Sequence, residues 1–333
     1  AFGLLNAAVG LYGTWLLRPL IRSVVMLRAR AVVVIALLLV AFAQANFLTA
    51  MAEEELFVDD IVYAAHTRYQ RIVVTRSRSG FHLFLNGNLQ FSSADEYRYH
   101  EALVHPAMTA ARAPRRVAIL GGGDGLALRE VLKYRGVEHV TLVDLDPKMT
   151  DLSRVFTPLE ELNGRAFRDP RVTVINDDAM LWVERERSRY DAVIIDFPDP
   201  NSFALGKLYT TRFYRLLRAR LAPGASVSVQ CTSPLYARQS YWCVIRTMEA
   251  AGFHVRPYQT TVPSFGVWGF ALARHEPFAV PNRVVVPVRF LDDATLTAMF
   301  VFPRDMAAVP VEVNRLDNQM LVRYYEDEWR KWS

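Results

Sequence analysis

The sequence predicts an α/β protein in which a mostly parallel sheet, covered by helices on both faces, follows a small antiparallel β unit and apolar N-terminal helices. Three observations predict it. Five short apolar runs alternate with helical segments between residues 115 and 230, the pattern of βαβ units. The turn signals Ser79-Gly80 and Asn86-Gly87 divide the β-branched and aromatic runs of residues 56–91 into hairpins. Residues 31–50 carry no charge and match the ~20 residues that cross a bilayer core.

At the N-terminus, residues 1–17 form a second uncharged stretch, with Arg18, Arg22, Arg28 and Arg30 between the two. We therefore expect transmembrane segments over residues 1–52. Because the chain opens at Ala1 without a methionine, further spans are expected upstream. A cleaved signal peptide fits worse, since the second stretch is long and no small-residue cleavage site precedes a mature start; a buried core helix is the plain structural alternative. Arginines prefer the cytoplasm, and taken alone this cluster would place everything past residue 50 outside. The expectation is a multi-pass protein of the bacterial inner membrane with its catalytic part cytoplasmic, which requires that residues 1–17 not fully span or that missing spans override the cluster.

Next, residues 53–113 read as the β-hairpin unit and a linking helix over 95–112. Residues 114–275 read as the catalytic domain: RRVAIL, a glycine loop, a helix to Tyr134, HVTLVD, a helix, RVTVIN, a helix, YDAVIID, a loop, a helix from about Thr210 to Arg220, and ASVSVQ. FHVRPYQT and VWGFALA supply two closing strands, the last antiparallel, for seven in all. Residues 276–333 form a proline-punctuated extension.

Composition narrows the function. The 333 residues are 52% hydrophobic with a net charge of +5, but the arginines are scattered among acidic residues rather than gathered in the stripe that nucleic acid requires. Cys231 and Cys243 match no zinc or disulfide pattern and read as small buried side chains. His100, Glu101 and His105 are spaced HExxxH, one residue too long to bring both imidazoles to one helical face, so no metal site is expected.

GGGDG at residues 121–125 follows the first parallel strand and precedes a helix, the place where a Rossmann-like sheet binds a nucleotide, with Gly121 and Gly123 allowing close backbone approach. Leu126 stands where GxGxxG needs its third glycine, and Asp124 is a poor neighbour for a pyrophosphate. A nucleoside without phosphates fits better, although glycines of a tight turn alone would leave the same pattern. Twenty residues on, Asp144 ends the second strand, the position from which an acid bonds ribose hydroxyls. Asp178 of NDDAM, with Ala179 beside it, follows the third strand and could reach an adenine amino group. Asp196 and Asp199 of DFPDP follow the fourth. Five carboxylates along the ligand edge of an open α/β sheet predict a cationic ligand, and Asp124 would repel the carboxylate of S-adenosylmethionine.

At this point GGGDG-x-x-LRE, YHE, VDLD in place of the usual VEID, and D-x-x-DP are similar to the motifs of the spermidine synthase family over residues 63–275. ALGKLYTTRFY, EVNRLDNQ and the hydrophobic start resemble its membrane-attached bacterial branch. The resemblance implies a class I methyltransferase-type sheet and transfer of an aminopropyl group from decarboxylated S-adenosylmethionine, a co-substrate rather than a resident cofactor, to a polyamine, putrescine first. It implies Asp196 as general base and Asp199 as holder of the acceptor amine. Asp124 would hold the donor's ammonium, Asp144 and Asp178 its ribose and adenine. Gln70 and Gln230 match glutamines at the donor and acceptor ends, Tyr99 and His100 line the polyamine channel, and residues 200–208 form a gate. Phe197 and Pro198 replace a small polar pair, and Phe265 stands where many relatives carry a tyrosine, removing a hydroxyl near the acceptor. A homodimer is expected, as is contact with the bilayer through the N-terminal helices.

These residue types suit the chemistry. An amine with pKa near ~10 is protonated at neutral pH and cannot attack carbon; a carboxylate in reach orients it and takes its proton as the C–N bond forms, while holding both substrates in line lowers the entropic barrier. Two alternatives compete: an S-adenosylmethionine methyltransferase on the same fold, and a membrane-tethered polyamine-binding module without catalysis, against which Asp196 and Asp199 argue.

Overall fold

Apolar β-branched runs that alternate with amphipathic segments leave the chain one economical arrangement, helices laid over both faces of a parallel sheet. The computed structural model describes residues 2–20, 23–43, 57–111 and 113–331 and divides into two compact units, Ala1–Val62 and Tyr63–Ser333.

Helices Phe2–Leu16 and Val24–Ala43 make up most of the first unit. Gly3 lies against Leu38, and Arg28 donates to the Thr14 hydroxyl at 3.4 Å, so the two helices pack as an antiparallel hairpin. Val24–Ala43 is, among the described residues, the one helix long and apolar enough to cross a membrane, and none of its residues is buried. The expected span of residues 31–50 overlaps this helix over residues 31–43. The helix takes in Arg28 and Arg30, because arginine is a good helix former and lack of charge does not decide where a helix starts. Residues 44–50 lie outside the described residues. At 15 residues, Phe2–Leu16 falls short of the ~20 that cross a bilayer core.

Four strands, β1 (Asp60–His66), β2 (Arg71–Ser77), β3 (Gly80–Leu85) and β4 (Asn88–Ser92), form a sheet in that order. The β2–β3 and β3–β4 pairs are antiparallel and turn at the expected glycines. Ile72, Val74, Leu83 and Phe91 pack their apolar face onto Leu126, Met149, Leu152 and Leu159. The helix Glu96–Ala110 follows.

The seven-stranded sheet contains β5 (Arg116–Gly121), β6 (His139–Asp144), β7 (Val172–Asn176), β8 (Tyr190–Asp196), β9 (Leu221–Gln230), β10 (His254–Val262) and β11 (Gly266–Arg274), in the order β10-β11-β9-β8-β5-β6-β7. β5 to β9 pair in parallel, and β11 runs antiparallel to both of its neighbours, as expected. One face is covered by Ala179–Arg185, Thr211–Arg218 and Arg238–Ala250, and the other by Glu96–Ala110 and Leu126–Leu132. From β5 the chain passes outward to β6 and β7 and then returns to β8 on the other side, so the strand order reverses between β5 and β8. Ligands of such sheets bind at that reversal. There Gly121 pairs with Asp196, the first glycine of the loop beside the expected general base.

Past β11, the extension forms short helices at Asp293–Ala298 and Met320–Trp329. Glu101, almost wholly buried, ties it down by accepting the backbone N–H groups of Arg289, Phe290 and Leu291 at 2.7–3.0 Å.

Candidate active site

The carboxyl ends of β5, β6, β8 and β9 bring Gly121, Asp144, Asp196 and Gln230 to one edge, because each apolar run ends where its first polar group can face the crevice. Gly121 has φ +83°, and a Cβ there would lie 2.1 Å from the Asp196 carbonyl oxygen. A Cβ on Gly123 would lie 2.6 Å from Asp144 Oδ2, whose carboxylate accepts the Gly123 N–H at 3.1 Å. The glycines therefore serve a close approach of loop to strand ends, beyond the turn itself.

Around Asp196 the groups converge from three elements. The Tyr99 hydroxyl, on the helix Glu96–Ala110, donates to Asp196 Oδ1 at 2.7 Å. His100, Asp124 and Asp196 each offer an atom within 4.8 Å of the others. His100 Nδ1 bonds Glu96 Oε2 at 2.9 Å, and Glu96 in turn receives both Nη atoms of Arg129 at 2.8 and 3.0 Å. Burial works against a charge on His100, yet Glu96, with Asp124 and Asp196 behind it, pushes it up to about 9. The surroundings therefore favour the imidazolium, a buried counter-charge to the two aspartates. His105 turns elsewhere, to Glu130 Oε2 at 2.9 Å and the Tyr134 hydroxyl at 3.0 Å.

Desolvation acts on every carboxylate here. Burial holds Asp124 up at about 6, against the charge of His100 and with that of Asp196. Burial likewise brings Asp144 to about 6, against the N–H of Asp146. Asp196 is raised by burial, opposed by His100 and by the Tyr99 hydrogen bond. Asp199 is pushed to about 6 by burial despite hydrogen bonds from Tyr325, Gln230 and Thr232. Raised carboxylates in an acidic crevice are groups waiting for a cation.

Gln230 is buried, donates from Nε2 to the Phe197 carbonyl and to Asp199 Oδ1, and accepts the indole N–H of Trp268 at 3.2 Å. Phe265 packs on Tyr99 at 6.1 Å between ring centroids, in a turn that Asp95 fixes by accepting the Ser264 N–H at 2.6 Å. Gln70 closes a turn in which Thr67 Oγ1 donates to Asp146 Oδ2 at 2.8 Å, so the small sheet is tied to the loop after β6. Asp178 caps the helix Ala179–Arg185 through the Met180 N–H at 2.9 Å, and its other oxygen receives Lys207 from the expected gate segment. Both of its oxygens are engaged. Ala179 is the first residue of that helix and is buried.

Several residues escaped the sequence reading. Thr232, at φ +64°, donates to Asp199 Oδ2 at 3.1 Å. Tyr209 donates to the Pro198 carbonyl at 3.1 Å, Tyr325 reaches Asp199 from the extension, and Glu96, itself held by Arg129, favours a charge on His100. Only the Glu96/His100 spacing of four, with Arg129 inside LRE, offered a signal; the others meet the site across long stretches of chain.

The family sequence model described as spermine/spermidine synthase domain matches residues 96–282. The chain belongs to the spermine/spermidine synthase family. Among relatives, the polyamine aminopropyltransferase of Leptospira interrogans is 50% identical over 99% of this chain and 66% of its own length. Polyamine aminopropyltransferase 2 of Ralstonia nicotianae is 51% identical over 98% of this chain and 66% of its own. This family member thus spans 66% of the length of those relatives. Among solved structures, a spermidine synthase in complex with the transition state analogue AdoDATO superposes with TM-score 0.68 at 27% identity, covering 73% of this chain and 86% of that one. The spermidine synthase of Thermotoga maritima gives 0.67 at 26%, covering 73% and 85%.

Proposed function

We propose that this chain transfers the aminopropyl group of decarboxylated S-adenosylmethionine to putrescine, giving spermidine and methylthioadenosine. One observation carries the reading: Asp124, Asp144, Asp196 and Asp199 stand half-buried at adjoining strand ends with their carboxyl groups held above the usual range. Such a site favours ligands that bring positive charge, and both proposed substrates do.

In the reaction, Asp124 receives the donor's ammonium and Asp144 its ribose. Asp196, oriented by the Tyr99 hydroxyl, accepts the proton of the attacking amine. The nitrogen lone pair forms the C–N bond, the C–S bond breaks, and its electron pair goes to sulfur, turning the sulfonium into a neutral thioether. The proton ends on Asp196, which burial has made a better base. Asp199 holds the acceptor's second ammonium, and Asp178 and Lys207 join the donor side to the segment after DFPDP. The helix Val24–Ala43 is the proposed membrane anchor, with the catalytic unit in the cytoplasm where a nucleoside donor is available.

Donor discrimination tests this against methyl transfer. Calorimetry of the two donors should show decarboxylated S-adenosylmethionine binding at least about tenfold more tightly, the effect of removing one buried like-charge contact. Equal binding, or tighter binding of the carboxylated donor, would remove the role given to Asp124.

A further inference from the structure

Residues beyond 282 lie outside the matched family domain, yet the extension reaches the site. The Tyr325 hydroxyl donates to Asp199 Oδ2 at 2.9 Å, beside Thr232 Oγ1 at 3.1 Å on the same oxygen and Gln230 Nε2 at 3.3 Å on the other. The helix that carries Tyr325, Met320–Trp329, is anchored at both ends. Glu328, buried at 6% exposure, accepts from Gln239 N at 2.6 Å, Ser240 N at 3.0 Å and Ser240 Oγ at 2.8 Å. It caps the helix Arg238–Ala250, whose own N-cap residue, Ala237, has no side chain to do so. At the other end Asn314, fully buried, accepts from Leu321 N at 3.3 Å and donates to the carbonyls of Gly206 and Tyr209 at 3.1 and 3.2 Å. Gly206 abuts this helix so closely that a Cβ would stand 2.5 Å from Val322. The last helix is therefore braced against both the segment after DFPDP and the Asp199 carboxylate.

We infer that the C-terminal extension is a working part of the acceptor site, with Tyr325 as the residue through which it positions Asp199 for the second ammonium of a diamine. This rests on the proposed reading of Asp199 as the acceptor's carboxylate. Three donors fix both oxygens of Asp199 before the amine arrives, so the ammonium meets an oriented anion and little reorganisation follows. Phe265 offers no hydroxyl at the acceptor end; Tyr325 supplies one from an element outside the family domain.

Tyr325→Phe removes the hydroxyl and keeps the ring that packs on Trp329 at 5.8 Å between centroids. The expected result is a rise of about tenfold in the KM for putrescine, the effect of one hydrogen bond to a charged group, with kcat at saturating amine and the donor KM unchanged. Tyr324→Phe is the control, since that hydroxyl accepts the Glu312 N–H at 3.3 Å and should move neither KM. An unchanged acceptor KM in Tyr325→Phe, or the same rise in Tyr324→Phe, overturns the inference. Should the unaltered protein release no methylthioadenosine with any amine, the proposed function fails instead. Calorimetric binding of putrescine then decides: about tenfold weaker binding by Tyr325→Phe upholds the positioning role, and equal binding, or none by either protein, overturns it.

Discussion

At the scale of the residue, what Asp196 can do is decided by Tyr99, His100 and Asp124. Tyr99 is buried, and burial together with the Asp196 charge pushes its phenol well above its ordinary value, so it stays a donor and fixes one oxygen of the carboxylate. His100, held as an imidazolium by Glu96, offsets part of the crowding of Asp124 and Asp196. Asp196→Asn keeps the shape and removes the proposed base. Its kcat should fall by about 10²–10⁴, the usual contribution of a general base, while donor affinity measured by calorimetry stays within about twofold. A kcat within tenfold of the parent would assign proton removal elsewhere. Asp124, Asp144 and Asp196 were legible because each ends an apolar run or sits in a glycine loop. Thr232 and Tyr325 were not, because nothing local marks a hydroxyl whose partner lies 33 or 126 residues away.

At the scale of the element, the contact of the glycine loop with β8 holds the site together. Gly121→Ala would force a side chain into φ +83° and into the Asp196 carbonyl. Urea unfolding should show a loss of about 2–4 kcal/mol, as for overpacking combined with a forbidden backbone angle, together with loss of donor binding. A loss under about 0.5 kcal/mol would mean the loop can move away and is not fixed by this contact. The strands were readable because buried parallel strands are nearly pure apolar runs. The start of the membrane-type helix was not legible for a physical reason: the charge-free stretch marks what lipid tolerates, whereas the helix from Val24 stays continuous through Arg28 and Arg30. The extension was opaque because its helices are short, six and ten residues, and because much of what ties it down is polar, at Glu101, Asn314 and Glu328.

At the scale of the whole molecule, the fold concentrates negative charge in a crevice of a chain whose net charge is +5. With Asp124, Asp144 and Asp199 near 6, each is about half protonated at pH 6 and ionised at pH 8. An ammonium bound at Asp199 favours its ionised form and lowers its value, so putrescine binding should release protons at pH 6 and almost none at pH 8. Calorimetry at pH 6 in buffers of different ionisation enthalpy reads this directly. Proton uptake, or release that does not depend on pH, would contradict the electrostatic picture. The same titration makes kcat/KM for the amine fall as pH drops through about 6.

The most direct test of the central claim is the product of one reaction: the purified protein with decarboxylated S-adenosylmethionine and putrescine, resolved by mass spectrometry. Methylthioadenosine and spermidine should form in equal amounts, with no product when S-adenosylmethionine replaces the decarboxylated donor. No methylthioadenosine with any diamine or triamine, or a methylated amine from the carboxylated donor, would contradict it.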